Sequence, residues 1–208
     1  MALTKLLRLD GRVAVVTGGS RGLGLQIARG LGEMGAQVVL VARRVEELEA
    51  AAARLSAEGI HAIALAADLS SLEGVPSLVD RVLERAGAVD ILVNNAGATW
   101  GADAQSYPDA AWRKVMNLNV DAVFALTREV GRKAFIPRRH GKVLNIASVA
   151  GLAGNRPQMA MHTIAYNTSK GAILSFTRAL AAEWGRYGIN VNALCPGFFP
   201  TSMTQQTE

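Results

Sequence analysis

Cysteine occurs once in these 208 residues, at Cys195. A single cysteine excludes an intrachain disulfide and a cysteine-ligated zinc centre, and it suits a reducing compartment, so a cytoplasmic location is expected. Cys195 lies in an apolar run just before Pro196, where a buried, inert thiol is expected rather than a nucleophile. Aromatic residues are few, at 5%, and no uninterrupted apolar run is long enough to span a bilayer. The first ten residues mix leucines with Lys5 and Arg8 but lack the apolar core and small-residue cleavage site of a signal peptide. No metal site and no membrane partner are expected. What the chain does have is 50% hydrophobic residues and a mean hydropathy of +0.20, enough for one heavily buried domain over residues 1–208. Basic residues exceed acidic ones by 22 to 17, giving a net charge of +5. They are scattered over helix faces, as at Arg128, Arg132 and Lys133, or form small groups such as Arg138-Arg139-His140, so a solvated surface is expected and no nucleic-acid partner.

Short Val/Ala/Leu/Ile runs alternate with helical patterns along the whole chain. Strands are predicted at 12–17, 36–42, 61–67, 90–93, 141–147 and 189–194, and helices at 25–34, 46–58, 72–86, 109–135 and 165–186. His61 opens its strand far from other reactive groups and is expected to be exposed. This rhythm predicts an α/β fold, a single-domain Rossmann-type doubly wound parallel sheet with helices on both faces and ligands beyond the strand carboxyl ends. Asp68, Asn94 and Ser148 all fall at such ends.

The first strand runs into Gly18-Gly19-Ser20-Arg21-Gly22-Leu23-Gly24 and then a helix. Glycines there permit close backbone approach, and a helix N-terminus offers unpaired N–H groups to a phosphate. Tight turns also use glycine for backbone reasons alone, so the order strand, glycine loop, helix carries the signal. An NAD site places a carboxylate about 20 residues further on, whereas an arginine there receives a 2′-phosphate. This chain has Ala42 followed by Arg43 and Arg44, with Arg21 inside the glycine loop, which favours NADP(H).

Tyr166 and Lys170 stand four apart in a predicted helix, so their side chains share one face. A cation about 4 Å from a phenolate is worth up to ~4 kcal/mol at an effective dielectric of ~20, enough to lower a phenol pKa of ~10 by as much as about 3 units. That spacing alone is also what surface packing produces.

The motifs together, in order, are Thr17 to Gly24, Asp68, Asn94-Asn95-Ala96-Gly97, Asn119, Ser148, Tyr166-Asn167-Thr168-Ser169-Lys170 and Pro196-Gly197. On these the chain resembles the short-chain dehydrogenases/reductases over essentially its whole length. The resemblance implies an oxidoreductase acting on CH–OH groups. Tyr166 would protonate a carbonyl oxygen as hydride arrives from nicotinamide, and Ser148 would hydrogen-bond that oxygen. Lys170 would lower the tyrosine pKa and hold the nicotinamide ribose, and Asn119 would hold a water in a proton relay. Gly18, Ser20, Arg21, Gly22, Leu23 and Gly24 would receive the pyrophosphate and adenosine, and Arg43 and Arg44 the 2′-phosphate. Asp68 and Leu69 would meet the adenine, Asn95, Ala96 and Gly97 the length of the dinucleotide, and Pro196, Gly197, Phe199 and Thr201 the nicotinamide end.

Within the family, Thr99-Trp100-Gly101, Ser106-Tyr107-Pro108 and Phe199-Pro200 resemble the 3-oxoacyl thioester reductases, including the rhamnolipid-pathway type. The alternative is a sugar-acid or polyol dehydrogenase of the gluconate 5-dehydrogenase type. A cofactor-sensing protein on the same fold is the third reading, opposed by the intact Asn119, Ser148, Tyr166 and Lys170. Residues 149–165 exceed the family's usual gap and carry Asn155, Met159, Met161 and His162; either this is a substrate wall suited to an acyl chain or a surface bulge. Relatives continue beyond the equivalent of Glu208 through a substrate-covering segment and a last strand and helix, so a tail absent from this sequence is expected. The apolar helices at 109–135 and 165–186 predict a homodimer or homotetramer.

Overall fold

Alternation within the strands decides the layering. In β1 (Val13–Thr17) and β2 (Gln37–Ala42), Val13, Val15, Val39 and Val41 enter one apolar core, while Ala14, Val16, Val38 and Leu40 enter another on the opposite face. A strand apolar on both sides needs cover on both sides, which is the condition for a buried parallel sheet. The computed structural model describes residues 3–155 and 162–199. In it β3 (Ala62–Ala66), β4 (Ile91–Asn94), β5 (Gly141–Ile146) and β6 (Ile189–Leu194) complete one parallel sheet of order β3-β2-β1-β4-β5-β6. Winding reverses between β1 and β4, where Val15 pairs with Val39 on one side and Leu92 on the other. A crevice opens above the strand ends at such a reversal.

A short turn, α1 (Leu3–Leu6), precedes β1. The helices α2 (Gly22–Glu33) and α3 (Val45–Ala57) cover one face of the sheet, and α4 (Val75–Ala86) the other. Two of them show the local logic plainly. In α3 Leu48, Ala51, Ala52 and Leu55 are buried, and in α4 Val75, Leu78, Val79 and Val82, the same i, i+3, i+4, i+7 stripe. Pro76 occupies the first turn of α4, where its missing N–H costs nothing, and Gly87 ends the helix at φ 76°.

The predicted single helix over 109–135 is instead a broken one. It comprises α5 (Asp109–Met116), a π turn (Asn117–Asp121), α6 (Ala122–Val130), a second π turn (Gly131–Phe135) and α7 (Ile136–Arg138). A π turn adds a residue to one turn and forfeits regular i→i−4 bonds, so it persists where tertiary bonds compensate. The first turn has them: Asn117 Nδ2 donates to the Ser70 carbonyl at 2.7 Å, and the Asn119 side chain bridges Ala98 and Ser169. The last helix, α8 (Ile164–Trp184), packs against β6 and carries both Tyr166 and Lys170.

Beneath the crevice a buried polar chain crosses the sheet. Asn94 Nδ2 donates to Thr127 Oγ1 at 2.9 Å and to Asn145 Oδ1 at 2.8 Å, Asn145 Nδ2 donates to Thr177 Oγ1 at 2.9 Å, and Thr177 donates to the Ile173 carbonyl at 2.7 Å. It links α6, β4, β5 and α8 in one register. Asn94, at its strand end, therefore supports the site from below.

Candidate active site

A cleft of about 420 Å³ lies over the carboxyl ends of the strands. Its floor at one end is the loop between β1 and α2. Gly18 has φ +64°, and a Cβ on Gly24 would stand 2.3 Å from the Gly18 carbonyl oxygen and 2.4 Å from Asn95 Nδ2. Only glycine fits there, so the backbone itself forms the wall. Ser20, Arg21, Gly22 and Leu23 line the same end, with α2 beginning at Gly22. Thr17 fixes this loop to the next strand: its Oγ1 accepts from the N–H groups of Asn95 (2.9 Å) and Ala96 (3.0 Å) and donates to the Val93 carbonyl. Such a cradle, glycine-lined at a helix N-terminus, fits a dinucleotide pyrophosphate.

The charged rim sits where β2 ends. Arg21, Arg43 and Arg44 line it together with Glu47 and Asp68. Arg44 is paired, its Nη1 lying 2.6 Å from Glu47 Oε1, so the structure ties down one of the predicted phosphate ligands. Asp68 accepts from Ser70 Oγ (2.7 Å) and Ser70 N (2.9 Å); these bonds, with the nearby Arg43 charge, hold its carboxyl below the usual range. Leu69 is buried beside it. Arg21 and Arg43, beside the paired Arg44, fit a 2′-phosphate, and Asp68 offers an acceptor at the adenine end.

At the far end the cleft is lined by Asn95, Ala96, Gly97, Ser148, Tyr166, Lys170, Pro196, Gly197 and Phe199. Thr201 lies outside the described residues. Ser148, two residues past β5, is 9% exposed, and its Oγ accepts from Ala150 N at 3.1 Å. The Ser148 side chain is close enough to Tyr166 to favour its ionised form. Lys170 Nζ donates to the Ile146 carbonyl at 2.7 Å and stands 5.5 Å from the centroid of the Tyr166 ring.

The electrostatics correct the sequence-based expectation. Burial pushes the Tyr166 phenol above its ordinary value, and the Ser148 side chain pulls only partly the other way. Lys170 is driven down to about 8 by burial, with only a small opposing effect from Cys195. Burial governs both groups in this arrangement, and the ammonium does not lower the phenol. Cys195 itself is half-buried rather than fully enclosed. Asn119, 1% exposed, does not line the cleft; its Oδ1 accepts from Ala98 N (2.8 Å), and its Nδ2 donates to Ala98 O (2.9 Å) and Ser169 Oγ (3.0 Å). Its side chain is thus fully engaged in clamping the loop after β4 to α8.

The motifs contain Thr17 and Ser169 without assigning either a role, and Glu47 stands in none of them. Ser169 is fully buried and passes a hydrogen bond from Asn119 to the Tyr166 carbonyl, a role concealed inside the Tyr-x-x-x-Lys spacing. Glu47 was legible as an i,i+3 partner of Arg44. In the long segment after Ser148, Met159 and Met161 lie outside the described residues. His162 Nδ1 lies 2.7 Å from Asp103 Oδ1, and its carbonyl accepts from Ala102 N, which ties this segment to the loop after β4. His61 is exposed, as its position predicts.

A family model, short chain dehydrogenase, matches residues 12–208. The chain belongs to the short-chain dehydrogenase family. This short-chain dehydrogenase is 44% identical over 200 residues to the rhamnolipids biosynthesis 3-oxoacyl-[acyl-carrier-protein] reductase of Pseudomonas aeruginosa, covering 95% of this chain and 76% of that protein. It is 39% identical to gluconate 5-dehydrogenase of Gluconobacter oxydans, covering 99% and 78%. Its structure superposes with a TM-score of 0.92 on the gluconate 5-dehydrogenase of Burkholderia cenocepacia solved with NADP and tartrate, at 37% identity, covering 99% and 78%.

Proposed function

We propose that residues 1–208 form one dinucleotide-binding and catalytic domain that uses NADP(H) to interconvert a ketone and a secondary alcohol, with reduction of a 3-oxoacyl thioester or a similar ketone as the leading reaction. One observation carries this: Ser148, Tyr166 and a buried lysine, Lys170, line one end of a cleft whose other end is an arginine-rimmed glycine cradle. When bound, the nicotinamide exchanges a hydride with the carbonyl carbon. Tyr166, kept protonated by burial, donates the proton that the carbonyl oxygen needs, and Ser148 directs a hydrogen bond at the same oxygen, where charge develops. Lys170 holds the ribose and the local positive potential; Asn119 acts through its clamp on Ala98 and Ser169. Gly18, Ser20, Arg21, Gly22, Leu23 and Gly24 hold the pyrophosphate side, Arg21 and Arg43 the 2′-phosphate, Asp68 and Leu69 the adenine, and Asn95, Ala96, Gly97, Pro196, Gly197 and Phe199 the length of the dinucleotide.

The thioester reading is supported by the likeness to the Pseudomonas reductase and by Phe199, a half-exposed aromatic ring in the lining of the cleft. A sugar-acid or polyol substrate is the second reading. It is favoured by the polar group at the start of α8, where Asn155 donates to Thr163 Oγ1 and Thr163 to Asn167 Oδ1, both at 2.9 Å. A screen of turnover with NADPH against acetoacetyl thioester, diketones and 5-ketogluconate separates them. Turnover of the thioester above the keto acid is the expected result; turnover of 5-ketogluconate alone overturns the leading reading, and turnover of nothing favours a cofactor-sensing role.

A homodimer or homotetramer is part of the same proposal. Phe124 on α6 is 49% exposed and meets Phe176 of α8 edge-on, leaving aromatic surface on the paired helices. Cytoplasmic location is likewise proposed, on the single cysteine. Among the described residues no helix is long and apolar enough to cross a membrane.

A further inference from the structure

The charged rim of the cleft contains a carboxylate that the NADP(H) reading does not call for. Arg44 caps the N-terminal end of α3 and Glu47 lies in its first turn, where a negative charge suits the helix dipole. That local reason accounts for the residue type, and the i,i+3 spacing for its partner. Glu47 Oε1 lies 2.6 Å from Arg44 Nη1, and both side chains face the cleft beside Arg21, Arg43 and Asp68. The Arg21 guanidinium has no hydrogen bond or ion pair among the described residues, and the Arg43 charge helps hold the Asp68 carboxyl below its ordinary value. Among the described residues, Arg44 alone of the three cations at the rim has its guanidinium held by a carboxylate in direct contact.

We propose that Glu47 is a specificity-determining residue that weakens selection for a 2′-phosphorylated nucleotide by sequestering the Arg44 guanidinium. The proposal rests on the NADP(H) reading of the same rim. A phosphate arriving there must compete with the Glu47 carboxylate for the Arg44 donors and is repelled by that carboxylate, so Arg21 and Arg43 supply the discrimination in the native chain. Neutralising Glu47 frees a third guanidinium and removes the repulsion, and both effects tighten binding of the phosphate without touching an unphosphorylated ribose.

The test is equilibrium binding, by calorimetry at low salt, of adenosine 2′,5′-bisphosphate and of adenosine 5′-monophosphate to the cofactor-free protein. The native chain is expected to prefer the bisphosphate. Glu47→Gln should tighten the bisphosphate about 10-fold, roughly 1.4 kcal/mol, while changing the monophosphate less than about twofold. Glu46→Gln, which removes the same charge one residue earlier from an exposed position, should leave the ratio nearly unchanged. Arg44→Ala should have little effect in the native chain and should abolish the gain when combined with Glu47→Gln. Thermal melts establish that each variant is folded.

An unchanged ratio in Glu47→Gln, or an Arg44→Ala variant that already loses the bisphosphate about 10-fold, overturns the role of Glu47 and leaves the NADP(H) reading standing. A native chain that binds the two probes equally and prefers NADH overturns the cofactor reading instead. In that case a Glu47→Gln variant that acquires bisphosphate selectivity still upholds the sequestration.

Discussion

Lys170 lies under the face of the Tyr166 ring, its Nζ 5.5 Å from the ring centroid, and its short hydrogen bond goes to the Ile146 carbonyl rather than to the phenol. The i,i+4 spacing brings the two residues together, but Ser148 is the group that favours the ionised phenol. In the chain without its cofactor the phenol and the amine are each governed by burial. Proton donation and cofactor binding are then separable by substitution.

Tyr166→Phe keeps the ring over Lys170 and removes the proton donor. Turnover should fall by about 10²- to 10⁴-fold, the usual contribution of a general acid, with NADPH affinity within about twofold of the native value. Single-turnover kinetics alongside fluorescence titration checks both. Near-native turnover would remove Tyr166 from the chemistry.

Lys170 carries a pH signature of its own. Its pKa in the folded chain is about 8, against 10.5 for the free side chain. Below pH 8 the folded and unfolded states are both protonated and the group adds no pH slope. Between pH 8 and 10.5 the unfolded chain keeps the proton that the folded chain has lost, so stability rises with pH at about 1.4 kcal/mol per unit. The native protein should therefore gain about 2–3 kcal/mol relative to Lys170→Met between pH 7 and pH 10. Urea unfolding of both at the two pH values measures the difference; a flat difference shows that Lys170 stays charged in the fold.

Thr177→Val tests the polar chain beneath the cleft. Valine matches the shape but leaves Asn145 Nδ2 without its 2.9 Å acceptor in a fully buried position. A loss of about 1–3 kcal/mol is expected, with Thr177→Ser retaining most of the stability. Denaturation midpoints of the three proteins decide it, and a valine variant as stable as the native chain would mean that water reaches Asn145.

The six strands and their order of appearance are written in the sequence, because most are runs of small and β-branched apolar residues separated by helical patterns. Most of the glycine cradle and of the groups around Ser148 and Tyr166 were legible for the same reason: Gly18 and Gly24 answer to local backbone demands, and Tyr166 and Lys170 to a helical period. The two π turns were not legible, since Asp109 to Phe135 has an ordinary helical pattern. The first exists because Asn117 finds the Ser70 carbonyl and Asn119 finds Ala98 and Ser169, partners up to 50 residues away in sequence. The direction of the Tyr166 shift was read wrongly for a related reason. Spacing fixes which charges are neighbours, whereas the balance between their attraction and their desolvation depends on how deeply the sheet, the loop after β5 and α8 enclose them. Local chemistry settled which residues could serve; only the packing of distant segments decided which hydrogen bonds they make and which charges they keep.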